Sequence, residues 1–142
     1  MPERERLLRF FWRLYLLLLF LLVAVKFDGS VEELALRMEG GRAANLTPLK
    51  TIRLQWQYFS TPWGRRNMLG NIIPFLPLGM LAPSVHLRLR KPRRFFALAL
   101  CLVTGIELFQ FVTALGSFDV DDILLNMAGA AAGYFLLCCR GL

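Results

Sequence analysis

The sequence predicts an all-α fold, an integral membrane bundle of four transmembrane helices with a short extracellular interfacial helical loop. Three observations lead there. Hydrophobic residues make up 56% of the 142-residue chain, and its mean hydropathy is +0.51; a single soluble core of this size does not hide so much apolar surface. The apolar residues gather in four segments, residues 10–27, 67–85, 95–115 and 121–139. Each is close to the roughly 20 residues that cross a hydrocarbon core of about 30 Å. Finally, the net charge of +7 lies between these segments rather than along a groove, which argues against nucleic acid as a partner and makes the charge a topology signal. The whole chain, residues 1–142, reads as one membrane domain.

The first segment, "FFWRLYLLLLFLLVAVKF", follows Arg4, Arg6 and Arg9 and leaves through "VAVKFDGS", which has no small-x-small cleavage site. It reads as a signal anchor rather than a removed leader. The second, "NMLGNIIPFLPLGMLAPSV", carries Pro74, Pro77 and Pro83. A membrane helix tolerates such prolines when neighbouring groups satisfy the freed carbonyls, so a kinked or re-entrant span is expected. The third is "FFALALCLVTGIELFQFVTAL", and the fourth runs from Asp121 or Asp122 to Cys139. Between the second and third, "HLRLRKPRR" holds Arg88, Arg90, Lys91, Arg93 and Arg94, whereas "GSFDVDD" between the third and fourth holds no basic residue. Short basic loops stay in the cytoplasm, so the acidic loop is outside and both termini are cytoplasmic. Cys101, Cys138 and Cys139 lie in apolar segments, away from metal-ligand spacing with His or Asp, and are expected to be small buried hydrophobes.

The outer loop, residues 28–66, has internal order. "SVEELALRMEGG" reads as a short helix with Ser30 as N-cap, Glu33 completing a capping box and Gly40-Gly41 ending it. Thr47-Pro48 reads as an N-cap and first position of a second helix, with Leu49, Ile52, Trp56 and Phe59 along one face and Arg53, Gln55 and Gln57 elsewhere. With Trp56, Tyr58 and Trp63 at headgroup depth, that helix suits the membrane interface.

Depth arithmetic then gathers polar residues of three spans in the outer half of the bilayer. Asn71 lies about 6 Å below Asn67 on the same face; Gln110 and Glu107 lie roughly 8 and 12 Å short of the outer end of their span near Leu115. Asp122 stands at the mouth of the fourth span, with Asn126 one turn deeper on the same face. A carboxylate at membrane depth costs roughly 2.5 to 3.5 kcal/mol on insertion scales, so Glu107 must face protein or water. Asn67, Asn71, Glu107, Gln110, Asp119, Asp122 and Asn126 are therefore the candidate pocket. Interhelical hydrogen bonding alone is the other reading of the amides. Asp119 or Asp121 is also placed to cap the start of the last helix. Below them, Gly129 and Gly133 have the small-xxx-small spacing of close helix packing, either within the monomer or at a dimer face.

"NLTPLKTI", "NMLGNIIPFLPLGML", "GIELFQFV" and "SFDVDDILLNMAGAAAGY" together resemble the VanZ-like family of small bacterial membrane proteins, named for a member associated with resistance to the glycopeptide teicoplanin. The resemblance runs from about Asn45 to Leu137, and its most specific part joins Asn71, Phe75, Pro77 and Gly79 to Glu107, Gln110, Asp119, Asp122, Asn126, Gly129 and Gly133. Where many relatives carry an arginine before the Ser/Phe-Asp stretch, this chain has Gly116, leaving Arg65 or Arg66 as the candidate anion contacts. The resemblance implies a multi-pass protein of the bacterial cytoplasmic membrane and supplies no reaction. The leading expectation is a non-enzymatic envelope factor that binds an outer-leaflet lipid or cell-wall intermediate and lowers glycopeptide action, without a cofactor. Two alternatives stay open. One is a membrane enzyme acting on a phosphorylated or polyprenyl-linked lipid, with a divalent cation held by Asp119, Asp121 and Asp122 and Glu107 as acid or base. The other is an oligomeric small-solute transporter.

Overall fold

The computed structural model describes residues 2–25 and 44–139. It is a helical bundle. Helix α1 spans Pro2–Val25, α2 spans Lys50–Gln57, α3 spans Pro62–Ile72 and α4 spans Leu76–Val85; α5 spans Pro92–Val112 and α6 spans Val120–Cys139. The β structure among the described residues is one parallel pair, β1 (Ala44–Asn45) with β2 (Phe118–Asp119). Among the described residues, three helical runs are long and apolar enough to cross a membrane: Pro62–Val85, Pro92–Val112 and Val120–Cys139. The expected first span continues past Val25, outside the described residues, as does the whole of the expected capping-box helix from Ser30 to Gly41.

The second span begins earlier than its apolar run suggests. Thr61 caps it, its Oγ1 accepting from the Gly64 amide at 3.2 Å, with Pro62 at the first position, so Arg65 and Arg66 belong to the first turns of a helix rather than to a loop. The prolines are absorbed by tightening: Ile73–Phe75 winds as a 3-10 turn joining α3 to α4, and Tyr15 Oη of α1 donates to the Pro74 carbonyl at 3.0 Å. That is the neighbouring donor a proline-rich span requires. The helical run is continuous across the prolines. The third span ends earlier than expected, at Val112, because Ala114 turns left-handed (φ 58°).

The core runs down the centre of the bundle, through Leu19, Phe75, Leu78, Ala82, Phe95, Ala99, Val103, Ala130 and Tyr134. Phe95 and Tyr134 stack with centroids 4.7 Å apart, and Tyr134 Oη donates to the Arg90 carbonyl at 2.5 Å, tying α6 to the basic turn Leu87–Arg90. The second and fourth spans run in the same direction and touch backbone to backbone. A Cβ on Gly129 would lie 2.1 Å from the Ile72 carbonyl oxygen, one on Gly133 2.0 Å from that of Leu76, and one on Gly79 2.1 Å from that of Ala130. The small-residue strip is thus occupied within the chain. The outward faces carry Leu17, Leu18, Phe20, Leu100, Leu108, Phe135 and Leu136 exposed. Cys101 and Cys139 join them and Cys138 is half-buried, which corrects the expectation of buried cysteines. Small apolar side chains suit a lipid-facing position as well as a core.

Candidate functional site

At the acidic end of the bundle, the segment 44–52 is clamped onto the start of α6. Asp121 is fully buried (0% exposed), and its carboxylate accepts three backbone N–H groups from the neighbouring segment: Leu49 at 2.6 Å, Thr51 at 2.7 Å and Ile52 at 3.1 Å. These are the orphan donors of a helix N-terminus, which carries partial positive charge. The expectation of Thr47 as N-cap is therefore corrected. Helix α2 starts at Lys50, its flanking residue Leu49 lies in the left-handed region (φ 65°), and no side chain of its own caps it. The cap arrives from another helix.

Asp119 completes the clamp. Its Oδ2 accepts from Thr51 Oγ1 at 2.6 Å and its Oδ1 from Asn45 Nδ2 at 3.0 Å, while Asn45 Nδ2 also reaches Thr51 Oγ1 at 3.0 Å. The same Oδ1 accepts the Asp121 amide at 2.9 Å, so Asp119 holds the start of its own helix as well. The strand pair brings Asn45 beside Asp119. Neither Asn45 nor Thr51 stands out in the sequence, where "NLT" passes for a glycosylation spelling. The available signal is the pairing of "NLTPLKT" with "FDVDD", which only a long-range contact makes legible.

Asp122 points elsewhere: its Oδ1 accepts from Asn71 Nδ2 of α3 at 2.5 Å, joining the second span to the fourth. The three carboxylates are thus committed to three different donor sets, and no group of three potential ligands able to hold a metal occurs among the described residues.

Glu107 and Gln110 are buried (1% and 4% exposed) on the α5 stripe Phe95, Ala99, Val103, Glu107, Gln110. From the stacked Phe95–Tyr134 pair, an equal climb of about 18 Å along antiparallel α5 and α6 brings Glu107 level with Asp122. Asn126 is buried (2% exposed) one turn below Asp122, and its Oδ1 has no hydrogen-bond donor among the described residues. Asn67, by contrast, is half-buried and donates back to the Trp63 carbonyl of its own helix at 2.8 Å. Arg65 and Arg66 are exposed, Arg65 donating to the Ser60 carbonyl at 3.1 Å.

Helix α2 rides over this end with Gln55 turned inward and Trp56 outward. Gln55 is buried (3% exposed) while Trp56 is 67% exposed, because the clamp on Leu49, Thr51 and Ile52 fixes the helix rotation. Trp56 stacks on Phe59 with centroids 5.7 Å apart, and Tyr58 meets Trp63 edge-on at 6.2 Å. The exposed Trp56, Tyr58 and Trp63 form an aromatic rim of the kind found at membrane interfaces.

Comparison with known proteins converges on one group. Residues 12–140 match a protein family described as VanZ/LLP1. Over 120 residues, 84% of this chain, the sequence is 31% identical to a protein of Enterococcus faecium named Protein VanZ, 66% of whose length is covered. The chain thus spans just under two thirds of that relative. No solved structure matches.

Proposed function

The chain belongs to the VanZ/LLP1 family, and on that premise we propose that it is a four-span protein of the bacterial cytoplasmic membrane, with both termini in the cytoplasm, that binds an outer-leaflet lipid or lipid-linked cell-wall intermediate and thereby contributes to teicoplanin-type glycopeptide resistance. The basic turn Leu87–Arg90 then lies inside, and the acidic end with its aromatic rim lies at the outer surface. The binding site is the polar layer of Asn71, Glu107, Gln110, Asp122 and Asn126 beneath α2. The single observation that carries this reading is Asn126: a buried amide oxygen with no donor among the described residues, one turn below the Asp122–Asn71 bond. Protein interiors rarely leave a buried acceptor so, and a hydroxyl or amide donor of a ligand head group would satisfy it.

Asp122→Asn tests the reading. It preserves an acceptor for Asn71 while removing the charge, so folded yield in detergent stays close to wild type and protection of a susceptible bacterial host against teicoplanin is lost. A cluster that only holds helices together would instead lose protection and folded yield in parallel, or neither.

A further inference from the structure

The side of α5 that faces away from Glu107 and Gln110 is not flat. Leu16, Leu19 and Phe20 of α1 and Cys101, Gly105 and Phe109 of α5 wall a groove of about 370 Å³, with buried Leu19 as its floor. Its lining is apolar throughout. Cys101, Gly105 and Phe109 recur every fourth residue, so the groove follows the helix axis for about 12 Å. Gly105 is the notch: a Cβ there would meet nothing within 4 Å. By the same register that levels Glu107 with Asp122, Phe109 stands at the acidic end and the groove descends from it toward the bilayer centre.

We propose that this groove seats the hydrocarbon chain of an outer-leaflet lipid; its placement in the outer leaflet rests on the topology proposed above. Several features fit a chain and not a second helix. At about 30 Å³ for a water-sized group, 370 Å³ holds roughly a dozen such groups, the bulk of a lipid chain segment. Membrane helix pairs approach over small residues, whereas here leucines and phenylalanines stand on both sides of a single glycine, and the chain's own small-residue strip is already buried against α3 and α4. Inside a bilayer, an apolar groove open to the side is filled by what surrounds it, and its walls order the chain that fills it.

The test uses the full-length protein in lipid vesicles doped with phosphatidylglycerol carrying a photoactivatable diazirine in its acyl chain. Wild type should concentrate the cross-links on peptides containing 16–20 and 101–109, above those on the equally lipid-exposed Leu124, Phe135 and Leu136. Gly105→Phe, which fills the notch, should bring groove labelling down to the level of Leu124, Phe135 and Leu136. Ala128→Phe, on the exposed face of α6, should change nothing. Labelling spread evenly over all exposed helices, or unchanged by Gly105→Phe, overturns the proposal; should Gly105→Phe not fold, the wild-type pattern and Gly105→Leu decide. Cross-linking of Cys101 to Cys101 of a second copy, abolished by Gly105→Leu, also overturns it by showing a dimer seam. If the chain labels the groove but Asp122→Asn leaves teicoplanin protection intact, the polar-layer reading fails and the groove stands. With uniform labelling and protection lost in Asp122→Asn, the groove fails and the polar layer stands.

Discussion

Asp121 and Asp122 are neighbours of the same type with different physical roles. Asp121 is fully buried and accepts three backbone N–H groups; Asp122 is half-buried and accepts a side-chain amide from another helix. Removing the first leaves several buried donors unsatisfied, each costing about 1 to 3 kcal/mol. Asp121→Ala should therefore destabilise the protein by about 3 kcal/mol or more in denaturant titration in micelles and open the segment 44–61 to protease. Asp121→Asn, which keeps an acceptor but turns an amide toward backbone N–H groups, should fall between Asp121→Ala and wild type. If Asp121→Ala is as stable as Asp122→Asn, the clamp is not what holds α2. In the sequence the acidic trio was legible as a helix-start feature, and Asp119 does accept the Asp121 amide. What was not legible is that Asp121 caps a different helix, because a cap supplied from about seventy residues away leaves no local spacing to read.

At the scale of elements, the packing of the second span on the fourth is set by backbone contact and not by side-chain bulk. A side chain at Gly133 has nowhere to go: its Cβ alone would lie 2.0 Å from the Leu76 carbonyl oxygen, and the neighbour is helix backbone that cannot rotate away. Gly133→Leu should accordingly abolish or sharply lower folded yield, whereas Leu136→Ala, whose side chain is 52% exposed, should stay within about 0.5 kcal/mol of wild type. Equal losses in size-exclusion profiles of the two variants would place lipid, not helix, against Gly133. The existence of the three described spans, and the small-residue spacing on α6, were readable because a bilayer imposes length and apolarity on each helix by itself. The rotation of α2 was not. Its sequence pattern sets Gln55 off the apolar face, and the clamp at its N-terminus turns Gln55 inward.

The whole molecule has a charge polarity that fixes which end does what. The basic turn and helix start, from Arg88 to Arg94, crowd one end, while Asp119, Asp121 and Asp122 are gathered at the other beneath an aromatic rim. Positive residues resist transfer across the membrane, so on the proposed topology the Arg-rich end stays in the cytoplasm and the Asp end is carried out. A cysteine-free background in which Cys101, Cys138 and Cys139 are replaced by alanine allows a direct reading with a membrane-impermeant maleimide. Ser117→Cys, exposed between β2 and the end of α5, should label in intact cells. Arg88→Cys, exposed in the basic turn, and Glu3→Cys, exposed in the first turn of α1, should label only after permeabilisation. The two inner positions separate distinct claims: external labelling at Arg88 inverts the bundle and puts the polar layer on the wrong leaflet, whereas external labelling at Glu3 alone removes the first crossing and leaves a three-span protein. An odd number of crossings would also place the two ends of the chain on opposite sides. The inward placement of both Glu3 and Arg88, with Ser117 outside, is the pattern that four crossings require.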